Sequence, residues 1–452
     1  MAWALPGLPM CPAVCSPGHP QPQRVQGHGG DEEDRTPDLR IANATLSQLS
    51  YVPRCLHFSA PGTPRYSAGR DAATLRCVSK IRACVLSPQG WIDGSIAWND
   101  EGRVLAIEGA AIEEAEAVGS GLPLALPGFI DLHVHGGGGA DTMQAGQAVA
   151  TIARMHARYG TTALLATTMT APLSDIEAAL TALAPLCQQR QTGQARVLGV
   201  HLEGPYINRE RLGAQPDEVR PARLEEVQRL HALAPLRLIT VAPELPGHLD
   251  LISALKEAGF RVLLGHTAGR YEDGVAALGC GAVGFTHLFN AMSGLHHRAP
   301  GMVGAALAHA QRAEIIPDLL HVHPGAIRAA LRAIPGLYCV TDATAATGMP
   351  DGAYQLGQHT VHKCLGGVRL ADGTLAGSAL TMDQALRNLV SIGLTIQDAS
   401  LRVSSYAADV LGLTDRGRLQ PGAWADLVLM DAQLQIKQVV CEGESIHSNN
   451  SH

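Results

Sequence analysis

Two histidines one residue apart, His133 and His135 in FIDLHVH, are the first residues along the chain whose types and spacing point to chemistry. Side chains alternate along a strand, so both imidazoles project to one face. Three more apolar runs end in ligand types: Glu203 closes VLGVHLE, His266 closes VLLGH and His287 closes VGFTH. Imidazole nitrogen and carboxylate oxygen are donors that zinc and similar divalent ions take, and a catalytic site leaves a position open for water. These five residues, from four strand ends, suit one or two ions. Singly, each has a plainer reading: His133 and His135 as ordinary polar residues, Glu203 as a loop carboxylate. Asp342 closes a further run, LYCVTD. A carboxylate beside a metal-activated water can take its proton and later deliver it to a leaving group. The plainer reading of Asp342 is a helix N-cap.

These residues need elements that bring them to one place. From residue 127 onward, apolar runs recur as FIDLHVH (129–135), ALLATTM (163–169), VLGVHLE (197–203), LITVA (238–242), VLLGH (262–266), VGFTH (283–287), EIIPDLLH (314–321) and LYCVTD (337–342). Buried parallel strands read as near-continuous apolar runs of this kind. Helical patterns lie between most of them, at 147–159, 173–189, 224–234, 249–258 and 325–333. Eight such units predict an α/β fold, a metal-dependent (β/α)8 TIM barrel over 127–411 with connecting helices at 382–392 and 396–411. The active site of that fold lies at the C-terminal ends of the strands. The polar residues sit at those ends. The flanks, 76–126 and 412–452, hold short β-like pieces such as IRACVL and ADLVLM, and are expected to pair into a small β-sandwich.

Composition bounds the partners. Of 452 residues, 46% are hydrophobic and 17% charged, which suits a globular chain with a large core. The net charge is −7, and the chain has no long basic run and only 4% aromatics. Nucleic acid and anionic membrane are therefore not expected partners. No apolar stretch reaches bilayer-spanning length. The N-terminus lacks a signal-peptide pattern, and the ten cysteines form no CxxC pair, so a cytoplasmic location with reduced thiols is expected. Residues 1–75 stand apart: they hold ten of the 27 prolines and keep neither strand nor helix period. DEEDRTPDLRIANATLSQLSYVP (31–53) resembles the conceptual translation of transfer-RNA gene regions. We expect a true start near residues 75–80. A genuine disordered tail is the alternative, and the intact mass of the protein from its native host decides between them.

PGFIDLHVHGGGG, HLEGPYIN, GHT, THLFNAM, HHRAPG and TDATAATGMPDG, in this order, resemble the N-acetylglucosamine-6-phosphate deacetylases of the amidohydrolase superfamily. The resemblance runs from about Ile81 to Ile436 and implies a metal-binding (β/α)8 barrel with a small β-sandwich. It implies a principal metal site of Glu203, His266 and His287, and a second ion at His133 and His135 bridged by Glu203. Zinc is the expected metal, with iron, manganese and cobalt as alternatives. Asp342 matches the catalytic aspartate and His321 the residue near the substrate's acetyl group. Asn290 and Ala291 match positions that meet the phosphate. Arg298 matches a phosphate-binding arginine that reaches across a homodimer from the neighbouring subunit. The implied reaction is hydrolysis of an acetamide on a small amino-sugar phosphate.

The chain also departs from the family. Where some members have a histidine near the sugar, this chain has Gln215, which can hydrogen-bond a hydroxyl but takes no charge. EIIPDLLHV lacks the glycine that many members have after the aspartate. His323 rivals His321, since strand alternation would put both on one face. No lysine lies near Ala242-Pro243-Glu244, which disfavours a carbamylated-lysine site of the dihydroorotase type. The alternatives are N-acetylgalactosamine 6-phosphate as substrate, another amidohydrolase activity, or a non-catalytic scaffold.

Overall fold

The computed structural model describes residues 77–448. The expectations for residues 1–75 lie outside them. All eight parallel strands form, at Phe129–Val134, Thr161–Thr167, Arg196–Glu203, Leu236–Val241, Val262–Leu264, Gly284–Phe285, Arg312–Ile315 and Gly336–Cys339. The first six pair in chain order, and the last two pair with each other. Two seams close the ring. Between sixth and seventh strands, Leu288 N–H donates to Glu314 O at 2.9 Å. Gly284 belongs at this seam because a Cβ there would stand 2.7 Å from Arg312 O. Between eighth and first strands, Asp342 N–H donates to His133 O at 2.9 Å, and the Thr341 hydroxyl donates to Asp131 Oδ2 at 2.6 Å.

The first two strands are buried at every residue, which is why they read as unbroken apolar runs. Helices follow at Ala148–Arg158, Leu173–Gln188, Leu224–Leu233, His248–Glu257, Tyr271–Cys280, Gly301–His309 and Pro324–Ala333. The fifth and sixth carry no clear stripe in the sequence. In Gly301–His309 the first six residues are all buried, and a helix buried all round has no polar face to set a period. The seventh strand is shorter than the sequence suggests. It ends at Ile315, two residues before Pro317, which has no N–H to give to a ladder. His321 and His323 therefore sit beyond it, in the loop and at the start of the next helix.

One element was not visible in the sequence pattern. After the eighth strand, Gly352–Leu356, His359–Cys364, Gly367–Arg369 and Leu375–Ser378 form an antiparallel sheet. It packs on Met169 and Ala346 through Leu356, Val361, Val368 and Ala376. Its strands are short and partly exposed, so no apolar run marks them.

The two flanks meet in a seven-stranded sheet, where Leu427–Met430 pairs antiparallel with Leu124–Pro127. Alternation gives the sheet two buried faces. Leu124, Leu126, Val428 and Met430 pack with the barrel core, while Ala125, Leu427 and Leu429 pack with Ile96 and Trp98 in a second one. Charges tie this sheet to the base of the barrel, at the N-terminal ends of its strands. Glu442 takes Arg196 at 2.8 Å and Arg190 at 3.1 Å, and also pairs with Arg416, which holds Asp426 at 2.5 Å. Burial pushes the Glu442 carboxyl up, but the arginines hold it down at about 2. Its contribution is therefore present above the unfolded-state value near pH 4.5 and lost as pH falls toward 2. Glu442→Ala takes the carboxylate partner from Arg196 and one of two from Arg190, which keeps Glu444, and from Arg416, which keeps Asp426, and should cost about 3 kcal/mol in urea unfolding at pH 7. The gap to wild type should narrow at pH 3; an equal gap at both pH values would contradict this account.

Candidate active site

The eight strands deliver their polar ends to one mouth. His133 comes from the first strand and His135 from just past it, Glu203 from the third, His266 from just past the fifth, His287 from just past the sixth and Asp342 from past the eighth. The chain bends sharply as it leaves these strands. His266, His287, Ala291 and Asp342 all have left-handed backbone, at φ of 48°, 26°, 49° and 51°. Side chains other than glycine rarely adopt this conformation, and it persists only where surroundings over-determine it. For Asp342 the hold is visible: its carbonyl accepts Ser378 N–H at 2.7 Å. Gly377 must precede that serine, because its own φ is 59° and a Cβ there would stand 2.9 Å from Asp342 O.

The Glu203 carboxylate is the centre of the site. Its Oε1 lies 3.2 Å from His266 Nε2, 3.1 Å from His287 Nε2 and 3.4 Å from His133 Nε2. Its Oε2 lies 3.1 Å from His135 Nε2. Asp342 Oδ1 stands 3.3 Å from His135 Nε2 and 3.6 Å from His133 Nε2. All six residues are buried, the Asp342 side chain being the most exposed of them at 12%. The facing histidine nitrogens are close, at 3.1 Å for His266–His287 and 3.2 Å for His133–His135.

Hydrogen bonds on the far side of two rings fix how they face inward. His266 Nδ1 donates to Arg211 O at 2.8 Å, and His133 Nδ1 donates to Glu314 Oε2 at 3.0 Å. With the proton on Nδ1, each Nε2 aims a lone pair at Glu203. Lone pairs converging on a carboxylate repel one another, and a shared divalent cation removes the conflict. Two triads fit an ion on this criterion: Glu203–His266–His287 and Glu203–His133–His135. A third, His133–His201–Glu314, fits less well, because His201 is already bonded to Leu132 O at 3.1 Å and Thr240 Oγ1 at 2.8 Å. Burial lowers His201 to about 4, so it is a neutral core histidine.

Protons on the imidazoles relieve the same conflict when no ion is bound, and a binding ion displaces them. Burial pushes the His135 imidazole down, yet Asp342 and Glu203 lift it to about 9. Burial pushes Asp342 up, yet His133 and His135 draw it to about 2, which leaves it ionised at neutral pH.

The cavity above is about 260 Å³, and His135, Glu203, His266, His287, His321 and Asp342 all line it. Asn290, Ala291 and Gln215 line it as well. The Asn290 backbone N–H turns back onto His287 O at 3.0 Å. Gln215 is more committed than the sequence suggested: its Oε1 accepts Thr170 N–H at 2.7 Å and its Nε2 donates to Glu203 Oε2 at 2.7 Å. His321 holds Asp318 Oδ2 through Nδ1 at 2.6 Å; burial pushes the ring down, but this bond raises it above its ordinary value. His323 has a different task, accepting Gly325 N–H as the cap of its helix. Arg298 does not line the cavity. It lies on an exposed loop against His297, and among the described residues no lysine or arginine lines the cavity.

Glu314 and Asp318 were missed by reading the sequence. Each left a signal: a carboxylate directly before the apolar pair Ile315-Ile316, and an aspartate three residues before a histidine.

Residues 124–446 match the amidohydrolase family. The chain is 41% identical over 369 residues to an N-acetylgalactosamine-6-phosphate deacetylase of Escherichia coli O157:H7, covering 80% of this chain and 97% of that one. It is 37% identical over 387 residues to an N-acetylglucosamine-6-phosphate deacetylase of Lysinibacillus sphaericus, covering 81% and 97%. Among solved structures, the N-acetylglucosamine-6-phosphate deacetylase of Thermotoga maritima superposes with a TM-score of 0.75 at 30% identity, covering 82% of this chain and 100% of that one. A variant of the Mycobacterium smegmatis enzyme bound to N-acetyl-D-glucosamine-6-phosphate gives 0.74 at 32% identity, covering 80% and 97%. The chain belongs to the amidohydrolase family, in the group that holds the amino-sugar-phosphate deacetylases.

Proposed function

We propose that this chain hydrolyses the acetamide of N-acetylglucosamine 6-phosphate, giving glucosamine 6-phosphate and acetate. The observation that carries the reading is Glu203 shared between two histidine pairs, with Asp342 beside them, in a chain 37% identical to a deacetylase of that name. Glu203, His266 and His287 would hold one divalent ion, and Glu203, His133 and His135 a second. Such ions, when bound, polarise a carbonyl and acidify a water. Zinc suits this donor set, which iron, manganese and cobalt also accept.

The remaining work belongs to the chain's own groups. Asp342 is ionised and takes the proton from the attacking water. It then gives that proton to the amine nitrogen as the C–N bond breaks, and the acetyl carbon leaves as acetate. His321, held by Asp318, presents its other nitrogen to the cavity and donates to the oxyanion that develops on the acetyl oxygen. Gln215 braces Glu203 and keeps one N–H for a sugar hydroxyl. A phosphate dianion needs cationic or backbone donors. Asn290 and Ala291, on the cavity wall, would meet it, the Asn290 N–H turning from His287 O to do so, and Arg298 of a second copy would supply the cation, which would make the working unit a homodimer. We place the reaction in the cytoplasm; among the described residues no helix is long and apolar enough to cross a membrane.

A second reading has its own support. The Escherichia coli relative, at 41% identity, is named for the galactosamine epimer. Acetate release from N-acetylglucosamine 6-phosphate, N-acetylgalactosamine 6-phosphate and unphosphorylated N-acetylglucosamine separates the readings, with metal content measured on the same sample. Preference for the first, abolished by chelation, is expected. Preference for the second would transfer the assignment to the epimer. No turnover of any, with metal bound, would refute deacetylation.

Two variants test the roles. Asp342→Asn should lower kcat about 100- to 10,000-fold with metal content retained. Near-wild-type turnover would remove Asp342 from the mechanism. Arg298→Ala should lower kcat/KM about 10- to 100-fold for the phosphorylated sugar, the loss of one charged hydrogen-bond pair. An unchanged value would mean that another group meets the phosphate.

A further inference from the structure

Glu314 is fully buried on the seventh strand, does not line the cavity, and holds groups from both metal triads. Its Oε2 accepts His133 Nδ1–H at 3.0 Å and the backbone N–H of His287 at 3.2 Å. Its Oε1 accepts the Tyr338 hydroxyl at 3.3 Å and lies 3.9 Å from His201 Nδ1. A buried carboxylate is costly unless its partners compensate, so a position serving only to fill the barrel would favour an apolar residue.

The two histidine pairs are anchored differently. In one, His266 is fixed by a backbone carbonyl, Arg211 O, which no side-chain substitution removes. In the other, His133 is fixed by the Glu314 side chain. Among the described residues, His135 Nδ1 and His287 Nδ1 have no hydrogen-bond partner, so each pair has one anchored ring. A carboxylate on the remote nitrogen of a metal-binding histidine sets the tautomer, orients the ring and makes the facing nitrogen a better donor.

We propose that Glu314 is a positioning residue for the His133–His135–Glu203 site, and that it determines whether that site takes a second ion. The inference rests on the two-ion reading above. The bland alternative is that Glu314 only secures the seam between sixth and seventh strands, through His287 N–H and Tyr338. The two differ in selectivity: loss of a seam would weaken both sites and the fold together, whereas loss of His133 orientation weakens one site.

Equilibrium dialysis of the full chain against zinc, and separately cobalt, with metal per subunit counted and folding checked by near-ultraviolet circular dichroism, tests this. Wild type should take two ions and His133→Ala one. Glu314→Gln keeps the shape and an acceptor but not the charge, and should weaken the second ion about tenfold while leaving the first unchanged. Glu314→Leu removes the acceptor and should weaken the second ion about a hundredfold. Should Glu314→Leu not fold, Glu314→Gln carries the test. Two ions bound to Glu314→Gln with wild-type affinity, or both weakened in step, would overturn the inference. A wild-type chain that takes a single ion would overturn the two-ion reading, and this inference with it.

Discussion

A single buried carboxylate organises this molecule. Glu203 faces four imidazoles, and none of the five groups can be desolvated without the others. The strands that carry them are far apart in sequence, from residue 133 to residue 287, and only a closed ring brings their ends within hydrogen-bond distance. The barrel is therefore the condition for the site, and its precision is set at the seams. Both seams are made partly by site residues or their neighbours: Asp342 N–H on His133 O, and Leu288 N–H on Glu314 O.

That arrangement divides the molecule by function. The C-terminal end of the barrel concentrates left-handed backbone and close-set ionisable groups, features that cost stability. The other end is fastened to the seven-stranded sheet by Arg196, Arg416 and Glu442, and by two apolar faces of that sheet. Stability and chemistry occupy opposite ends of the same strands, the usual division in this architecture.

What was legible in the sequence follows from this. The strands could be read because burial on all sides leaves continuous apolar runs, and the candidate ligands because each stands where such a run stops. His133, His135, Glu203, His266, His287 and Asp342 were visible for that reason. Legibility failed where burial leaves no contrast of the expected period, whether because a helix is buried all round or because short strands are partly exposed. Gly301–His309 has no polar stripe, and the sheet from Gly352 to Ser378 has no apolar run. Side chains that act on other side chains were also hidden. Nothing in the spacing says that Glu314 meets His133, 181 residues away, or that Gln215 braces Glu203. His321 was named on motif alignment, and the reason for its rival's histidine, capping a helix, appears only once Pro317 is seen to end the strand.

The late antiparallel sheet has a consequence for how this pocket can change. Leu356, Thr374, Leu375 and Gly377 form part of the cavity wall. The strand Leu375–Ser378 that supplies two of them also grips the backbone on either side of the carboxylate, through Ser378 N–H on Asp342 O and Ser378 Oγ–H on Thr341 O at 2.6 Å. The cavity wall and the bracket that aims Asp342, the base of the proposed reaction, are one piece of chain. A remodelled wall would drag the aspartate with it. Broadening of substrate range is thereby coupled to loss of turnover, and drift in this segment is restrained even at residues that never touch a reacting atom.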